Sequence, residues 1–395
     1  MSIQLSNLLY LAISNSNDIY SLNNNQNPTS SIVPTTTTQS FKNKIINGNA
    51  FIDQRNAGAP VVIAQDGTYF GPDRFVASIS TTSPSPSYIL QQQALSSSDM
   101  SLLGGLRNSV RLTSTNTNVI QNADGNVSLQ YTIEGFDSAN FNWGTTNGTH
   151  AAFSMWMKTN ITGMHSVAFT NQQRNACYVA TFPLSANTWS NIKLVIPPPS
   201  STSTWDRTSN IGIRIDIDAT CQACQVSSND TWNYGSFMIS ASNYNSNIWT
   251  QNANFIEVTG LQLEMGSNIT PYENRNLPME IDLCHRYFEK SFPINVVPSN
   301  NLSSVAPGVA MMFANQMGVQ SVTFETDKAR VPQITFYNPS NGVSGALSTN
   351  GNSYPLTATF TSVKGTRINS SDAGINGTLG SFNWSSEAEF VNPTP

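Results

Sequence analysis

Seven carboxylates, Glu134, Asp137, Asp216, Asp218, Glu257, Glu264 and Glu273, are where hydrolytic chemistry would have to begin. Glycoside hydrolysis needs two such groups about 5 to 10 Å apart across a cleft, one to protonate the leaving oxygen and one to attack or to activate water. None of the seven sits in a recognisable motif. Asp216 and Asp218 alternate with Ile211, Ile213, Ile215 and Ile217, which predicts the wet face of a strand. Sugar binding asks for something else: flat aromatic rings that stack on pyranose faces, framed by amides and carboxylates that exchange hydrogen bonds. The segment from Cys221 to Trp249 offers Trp232, Tyr234, Tyr244 and Trp249 among Asn and Ser, the candidate glycan contacts. Trp156, between Met155 and Met157, reads instead as a core or sheet-face residue.

Other signatures are absent from the sequence. There is no HExxH, GxSxG, P-loop or repeated CxxC pair. His150, His165 and His285 are far apart, have no metal-ligand spacing around them, and read as surface or interface histidines. Cys221 and Cys224 form one lone CxxC, read as free thiols or a local bridge in an exposed loop, since tetrahedral zinc would need two further ligands. No catalytic residue, metal or cofactor is therefore expected. Asp53, Arg55, Asp73 and Arg74 are assigned to ion pairs or turn stabilisation at the start of the first β body, with a calcium site as the lesser alternative. The Asn-X-Ser/Thr triplets at Asn126, Asn147, Asn160 and Asn268 follow from composition.

The background against which these residues stand is poor in charge. Only 10% of residues are charged against 38% hydrophobic, with a net charge of −5 and no Lys/Arg-rich run, so nucleic acid is not an expected partner. Asn, Ser, Thr and Gln carry the polarity, which suits β-structure with amide- and hydroxyl-lined strands and turns. No stretch approaches the roughly 18 to 20 apolar residues of a membrane-spanning helix, and the first segment lacks the basic start of a secretory signal.

The elements that must position these groups are mostly strands. Residues 1–42 read as an extended arm, in which Leu5, Leu8, Leu9 and Ile13 form a brief apolar stripe before a polar, low-complexity stretch; it is a disordered tail or an anchor that orders on a partner. Residues 43–275 show repeated strand alternation, for instance Ile192, Leu194 and Ile196, or Val258, Leu261, Leu263 and Met265, split by Gly, Pro and Asn. Residues 276–290 predict a short connector helix running to Lys290, with Pro278 near its start and two apolar stripes that wedge it between two bodies. Its contact residues are Ile281, Leu283, Cys284, Tyr287 and Phe288. Residues 291–395 predict a second, smaller β body from SVTFETD, PQITFYNP, PLTATFTSV and SFNWSSEAEF. The fold class is all-β: a jelly-roll sandwich and a second C-terminal sandwich joined by a short helix.

In order along residues 43–291, NKIINGNAFIDQRNAG, GPDRF, YTIEGFD, FSMWMKT, YVATFPLSANTWS, GIRIDID, GLQLEMGSNITPYENR and LCHRYFEKS resemble a recurring architecture of bacteriophage tail-fibre and virion-surface proteins. Their first domain is similar to a carbohydrate-binding-module jelly roll. His285 stands where that pattern usually has Gln, and the loop between Ala219 and Tyr234 is enlarged, which leaves ligand specificity open. The resemblance implies a non-enzymatic virion protein made in a bacterial cytoplasm: a tail fibre or spike, trimeric, held to other virion proteins by its arm and presented to a host glycan. A capsid decoration or cement protein that binds no sugar is the alternative, and a polysaccharide depolymerase a weaker one.

Overall fold

The computed structural model describes residues 41–395 except 65–66, 81–87, 116–125, 222, 243–250, 303–307, 314–315, 318–319, 341–342, 351, 371–378 and 391–395. The anchor residues Leu5, Leu8, Leu9 and Ile13, and the loop aromatics Tyr244 and Trp249, lie outside the described residues.

The first body is built from β1 (Val61–Ile63), β2 (Gly67–Phe70), β3 (Phe75–Ser80), β4 (Tyr88–Ala94), β5 (Asn108–Ser114), β6 (Asn126–Glu134), β7 (Ala151–Thr159), β8 (Gly163–Thr170), β9 (Ala176–Leu184), β10 (Ser190–Ile196), β11 (Ile211–Cys221), β12 (Trp232–Tyr234) and β13 (Phe255–Met265). Two short helices, α1 (Ser97–Leu102) and α2 (Gly135–Ser138), interrupt them. One sheet runs β1-β4-β5-β13-β7-β10 and the other β12-β9-β8-β11-β6-β3-β2. Alternation drives the packing. Phe153, Met155 and Met157 of β7 face Val167 and Phe169 of β8 and Ile213, Ile215 and Ile217 of β11 in one core, where Phe153 and Phe169 meet edge to face at 5.0 Å.

Two strands depart from simple alternation. In β13 the register against β7 shifts between Thr259 and Gln262. This bulge lets Val258 and Leu261, three apart, both enter the core, while Met265 at the strand end is exposed rather than buried. In β11, Asp216 and Asp218 are fully buried instead of wet. The enlarged loop explains this: Val226, Met238 and Ala241 pack on Ala168, Cys177 and Val179, covering the outer face of the second sheet. Beneath it Asp216 accepts from Ser128 Oγ at 3.1 Å and from Arg174 Nη2 at 3.3 Å, and Asp218 pairs with His165 Nδ1 at 2.9 Å. His165 is thus a core residue rather than a surface one. Cys221 and Cys224 form a disulfide that is buried, not exposed, against Ala219 and Ile239.

The second body comprises β14 (Phe288–Lys290), β15 (Gly308–Phe313), β16 (Gln316–Met317), β17 (Gln320–Thr323), β18 (Gln333–Tyr337), β19 (Ala346–Thr349), β20 (Asn352–Pro355), β21 (Thr357–Ser362), β22 (Gly365–Asn369) and β23 (Leu379–Glu387). Around β23 gather β14, β15, β18 and β19, while β17, β22 and β21 form a separate sheet. Phe336, Leu347 and Phe382 from one sheet and Val322 and Ile368 from the other share a core, so this body is a small sandwich.

Residues 41–395 form one compact unit, and the connector binds the two sandwiches within it. Helix α3 (Leu277–His285) starts as expected, with Asn276 capping Met279 N and Pro278 in the first turn. It stops five residues before Lys290. Phe288, Glu289 and Lys290 belong to β14, which gains ladder bonds to Ser385, Ser386 and Glu387 of β23. Ile281, Leu283, Cys284 and Tyr287 pack with Ile46, Ile52 and Ile211 of the first body and Ala329 and Phe390 of the second. Leu277, the helix's first residue, is exposed. The charged group at the chain's start completes the joint. Arg55 Nε and Nη2 grip Glu387 at 2.8 Å each, and Arg74 pairs with Glu389. Asp53 stabilises a turn by accepting from Asn56 N and Gly58 N.

Candidate functional site

The strand alternation that buries Met155 and Met157 turns Trp156 and Lys158 to the outer face of the first sheet. There Trp156 stands opposite Asn191 of β10 and Thr259 of β13, and Ser154 opposite Lys193 and Gln262. A half-buried indole on a surface of amides and hydroxyls is the feature that stands out. It rests on Leu95, Leu103, Leu106 and Trp189, with Met100 of α1 and Tyr272 beside it.

Two cavities, about 750 Å³ and about 300 Å³, share Trp156, Pro271 and Tyr272 in their walls. Together they make a trough along the sheet. Its rim on one side is α1 and the turn at Gly104 and Gly105, both in the left-handed region with open space where a side chain would stand. On the other side run residues 271–277, leading into α3. Gly260, at φ +64 in the β13 bulge, explains why the rings can sit there. A Cβ on it would come within 2.8 Å of Leu106 Cδ1, 3.4 Å of Trp156 Cδ1 and 4.0 Å of Tyr272 Cδ2.

The polar walls are amides, cations and one carboxylate, Glu280, which is paired with Arg275. Asn49, Asn274 and Asn276 line the larger cavity with exposed Arg107; Asn191 and exposed Lys193 line the smaller. Arg275 is held in place by the Ile45 carbonyl at 3.1 Å and by Glu280 at 3.4 Å. Burial, helped by the Glu280 charge, keeps the Tyr272 phenol well above its ordinary value, so it remains a neutral hydroxyl. The site therefore offers stacking and neutral or cationic hydrogen-bond donors.

The carboxylates are deployed elsewhere. Glu257 accepts from Ser109 Oγ at 2.5 Å and Arg111 Nη2 at 2.6 Å, and Glu264 from Thr270 Oγ1 at 2.7 Å. Glu273 accepts from Asn43 N at 2.9 Å, while Glu134 accepts from Arg286 Nε at 2.7 Å and the Tyr287 hydroxyl at 3.0 Å. Asp137 is exposed on α2. Of the loop aromatics, Trp232 enters an aromatic group with Trp143, Trp205 and Tyr178, its rings 5.4–5.6 Å apart, and donates Nε1 to the Pro197 carbonyl at 2.7 Å. Tyr234 is half exposed and its hydroxyl accepts from Ser200 N at 2.6 Å. The structure thus places these two apart from the trough, at the edge strand of the other sheet. Sequence reasoning put Trp156 on a core or sheet face but missed Tyr272; the glycine inside the alternating strand β13 was the available signal.

No protein-family model matches the chain, and neither does any curated protein. Among solved structures it is similar to the enzymatically active domain of tailspike protein 4 from bacteriophage CBA120, at 13% identity over 57% of this chain and 21% of that one, with a TM-score of 0.28. It is similar also to the family 11 carbohydrate-binding module of Clostridium thermocellum in complex with a β-1,3-1,4-mixed-linked tetrasaccharide, at 12% identity over 53% of this chain and 98% of the module, with a TM-score of 0.25. A CBM22-1 xylan-binding domain from Paenibacillus barcinonensis matches at 9% identity over 54% of this chain and 99% of that domain, again with a TM-score of 0.25.

Proposed function

We propose that the protein is a non-enzymatic component of a bacteriophage particle, a trimeric tail fibre or spike, that attaches to a glycan of the host surface through the trough over Trp156 and Tyr272. One observation carries this reading: a partly buried indole on a polar sheet face, shared by two cavities that asparagines help to line. An aromatic face buries the apolar side of a sugar ring, and amides meet its hydroxyls. The bacteriophage part rests on the ordered segments between residues 43 and 291 that resemble virion-surface proteins. Attachment to the particle is assigned to the stripe Leu5, Leu8, Leu9 and Ile13.

The test is binding of the purified full chain to host envelope polysaccharide, by glycan array and by calorimetry. Wild type is expected to bind, and Trp156→Ala and Tyr272→Ala to weaken binding about tenfold or more, as central aromatic contacts do, with unchanged circular dichroism. Tyr234→Ala, on the other sheet, is the comparison. Failure of the wild type to bind any host glycan, or equal binding by both trough variants, would sink the reading. New reducing ends in the polysaccharide would replace it with a depolymerase.

A further inference from the structure

Three ligand-type side chains, two from α3 and one from about forty residues further along, meet at the C-terminal end of α3. Asp282 and His285, three residues apart, project from one face of its last turn. Glu325 reaches the same point from the segment after β17, and the donor atoms of all three lie within 4.8 Å of one another. His285 Nδ1 stands 3.2 Å from Glu325 Oε2. Yet Nδ1 is a buried atom without a hydrogen-bond partner, so no hydrogen bond explains the approach. Two ligands each about 2.0–2.1 Å from a tetrahedral ion stand about 3.3–3.4 Å apart, close to this separation.

The backbone carrying the ligands is fixed without any ion. Thr326 Oγ1 donates to the Asp282 carbonyl at 3.4 Å, Arg286 Nη1 to the Asp327 carbonyl at 3.0 Å, and Ala329 N to the Arg286 carbonyl at 2.9 Å. Glu325 N donates to Glu289 Oε1 at 3.1 Å. The neighbouring cation, Lys328, is held away by its own partners, the His285 and Thr326 carbonyls and Glu289.

We propose that Asp282, His285 and Glu325 bind a divalent transition-metal ion of the zinc type, with the remaining position left to water. One imidazole and two carboxylates suit zinc. They are too few oxygens for calcium, which takes six to eight. Because two ligands belong to the connector helix and one to the second sandwich, the ion clamps that joint. The site is separate from the trough and does not depend on glycan binding.

The experiment is calorimetric titration of zinc chloride into the chelator-treated full chain, with thermal melts in parallel. One ion per chain and a raised Tm are expected. Glu325→Gln and Asp282→Asn change exposed carboxylates, so the fold is kept and each variant is expected to bind zinc about tenfold or more weakly. His285→Asn should abolish binding, and cobalt in place of zinc should give the visible absorption of a four-coordinate site. The proposal is overturned if zinc does not bind, if Glu325→Gln and Asp282→Asn bind it as tightly as wild type, or if calcium gives the same Tm rise as zinc.

Discussion

Arg74 and Glu389 stand 315 residues apart in the chain and form an ion pair in which both side chains are 1% exposed. The guanidinium also lies 3.3 Å above the Tyr287 ring and donates to the Thr132 carbonyl at 2.5 Å. Glu389 and the stacked ring therefore hold Arg74 charged despite its burial.

Removing one partner leaves the other charge buried and alone. Glu389→Gln is expected to destabilise the chain by about 3–5 kcal/mol, read from urea unfolding midpoints. The pair Arg74→Met with Glu389→Leu should cost less than either single change, since no stranded charge remains. A Glu389→Gln midpoint equal to wild type would show that the joint does not depend on this contact.

Gly260→Ala tests the floor of the trough. The left-handed backbone and the approach to Leu106 are expected to cost about 1–3 kcal/mol, and the displaced Trp156 should weaken the glycan binding proposed above. Unaltered stability would mean that the bulge relaxes without strain.

The His165–Asp218 pair predicts a pH dependence. Burial pulls the imidazole value down, but the Asp218 charge and hydrogen bond and the Ile161 carbonyl raise it by more, leaving it above the ordinary 6.5. The folded chain thus favours protonated His165. Its stabilisation is complete below about pH 6.5 and is lost as pH rises through the raised folded value. Urea midpoints from about pH 6 to about pH 9 should fall more steeply for wild type than for His165→Asn. His285, whose value burial lowers, contributes an opposite slope to both proteins and cancels in the difference. Parallel curves would remove His165 from the account.

Cys177 and Cys284 are buried, and burial pushes both thiols far above their usual value. No reaction with a thiol reagent is expected from the native chain, and two thiols should react per chain in denaturant without reductant. Prompt labelling of the native protein would mean that the second-sheet cover or the connector opens readily.

Most strands were legible because one face of each meets a core: β18 falls within PQITFYNP, and Ile192, Leu194 and Ile196 lie along β10. What alternation could not show was what covers the other face. Asp216 and Asp218 occupy polar positions in a period-two pattern, and only the three-dimensional path of the loop after Cys221 buries them. The connector's start was encoded locally by Asn276 and Pro278, whereas its end is decided by β14 pairing with β23, nearly a hundred residues away. The trough was half legible for the same reason. Trp156 could be placed on its strand, but Tyr272, Arg107 and Asn49 join it from three separate segments.

Because Glu387, Glu389 and Phe390 close the joint against Arg55, Arg74 and Tyr287, the seam cannot form while the ribosome is still reading through β18 or β22. A nascent first sandwich would emerge with Arg74 and the Cys284–Tyr287 surface uncovered. Only a chain translated past residue 390 can shut it. Copies cut short of residue 387 would therefore keep that surface open to proteases.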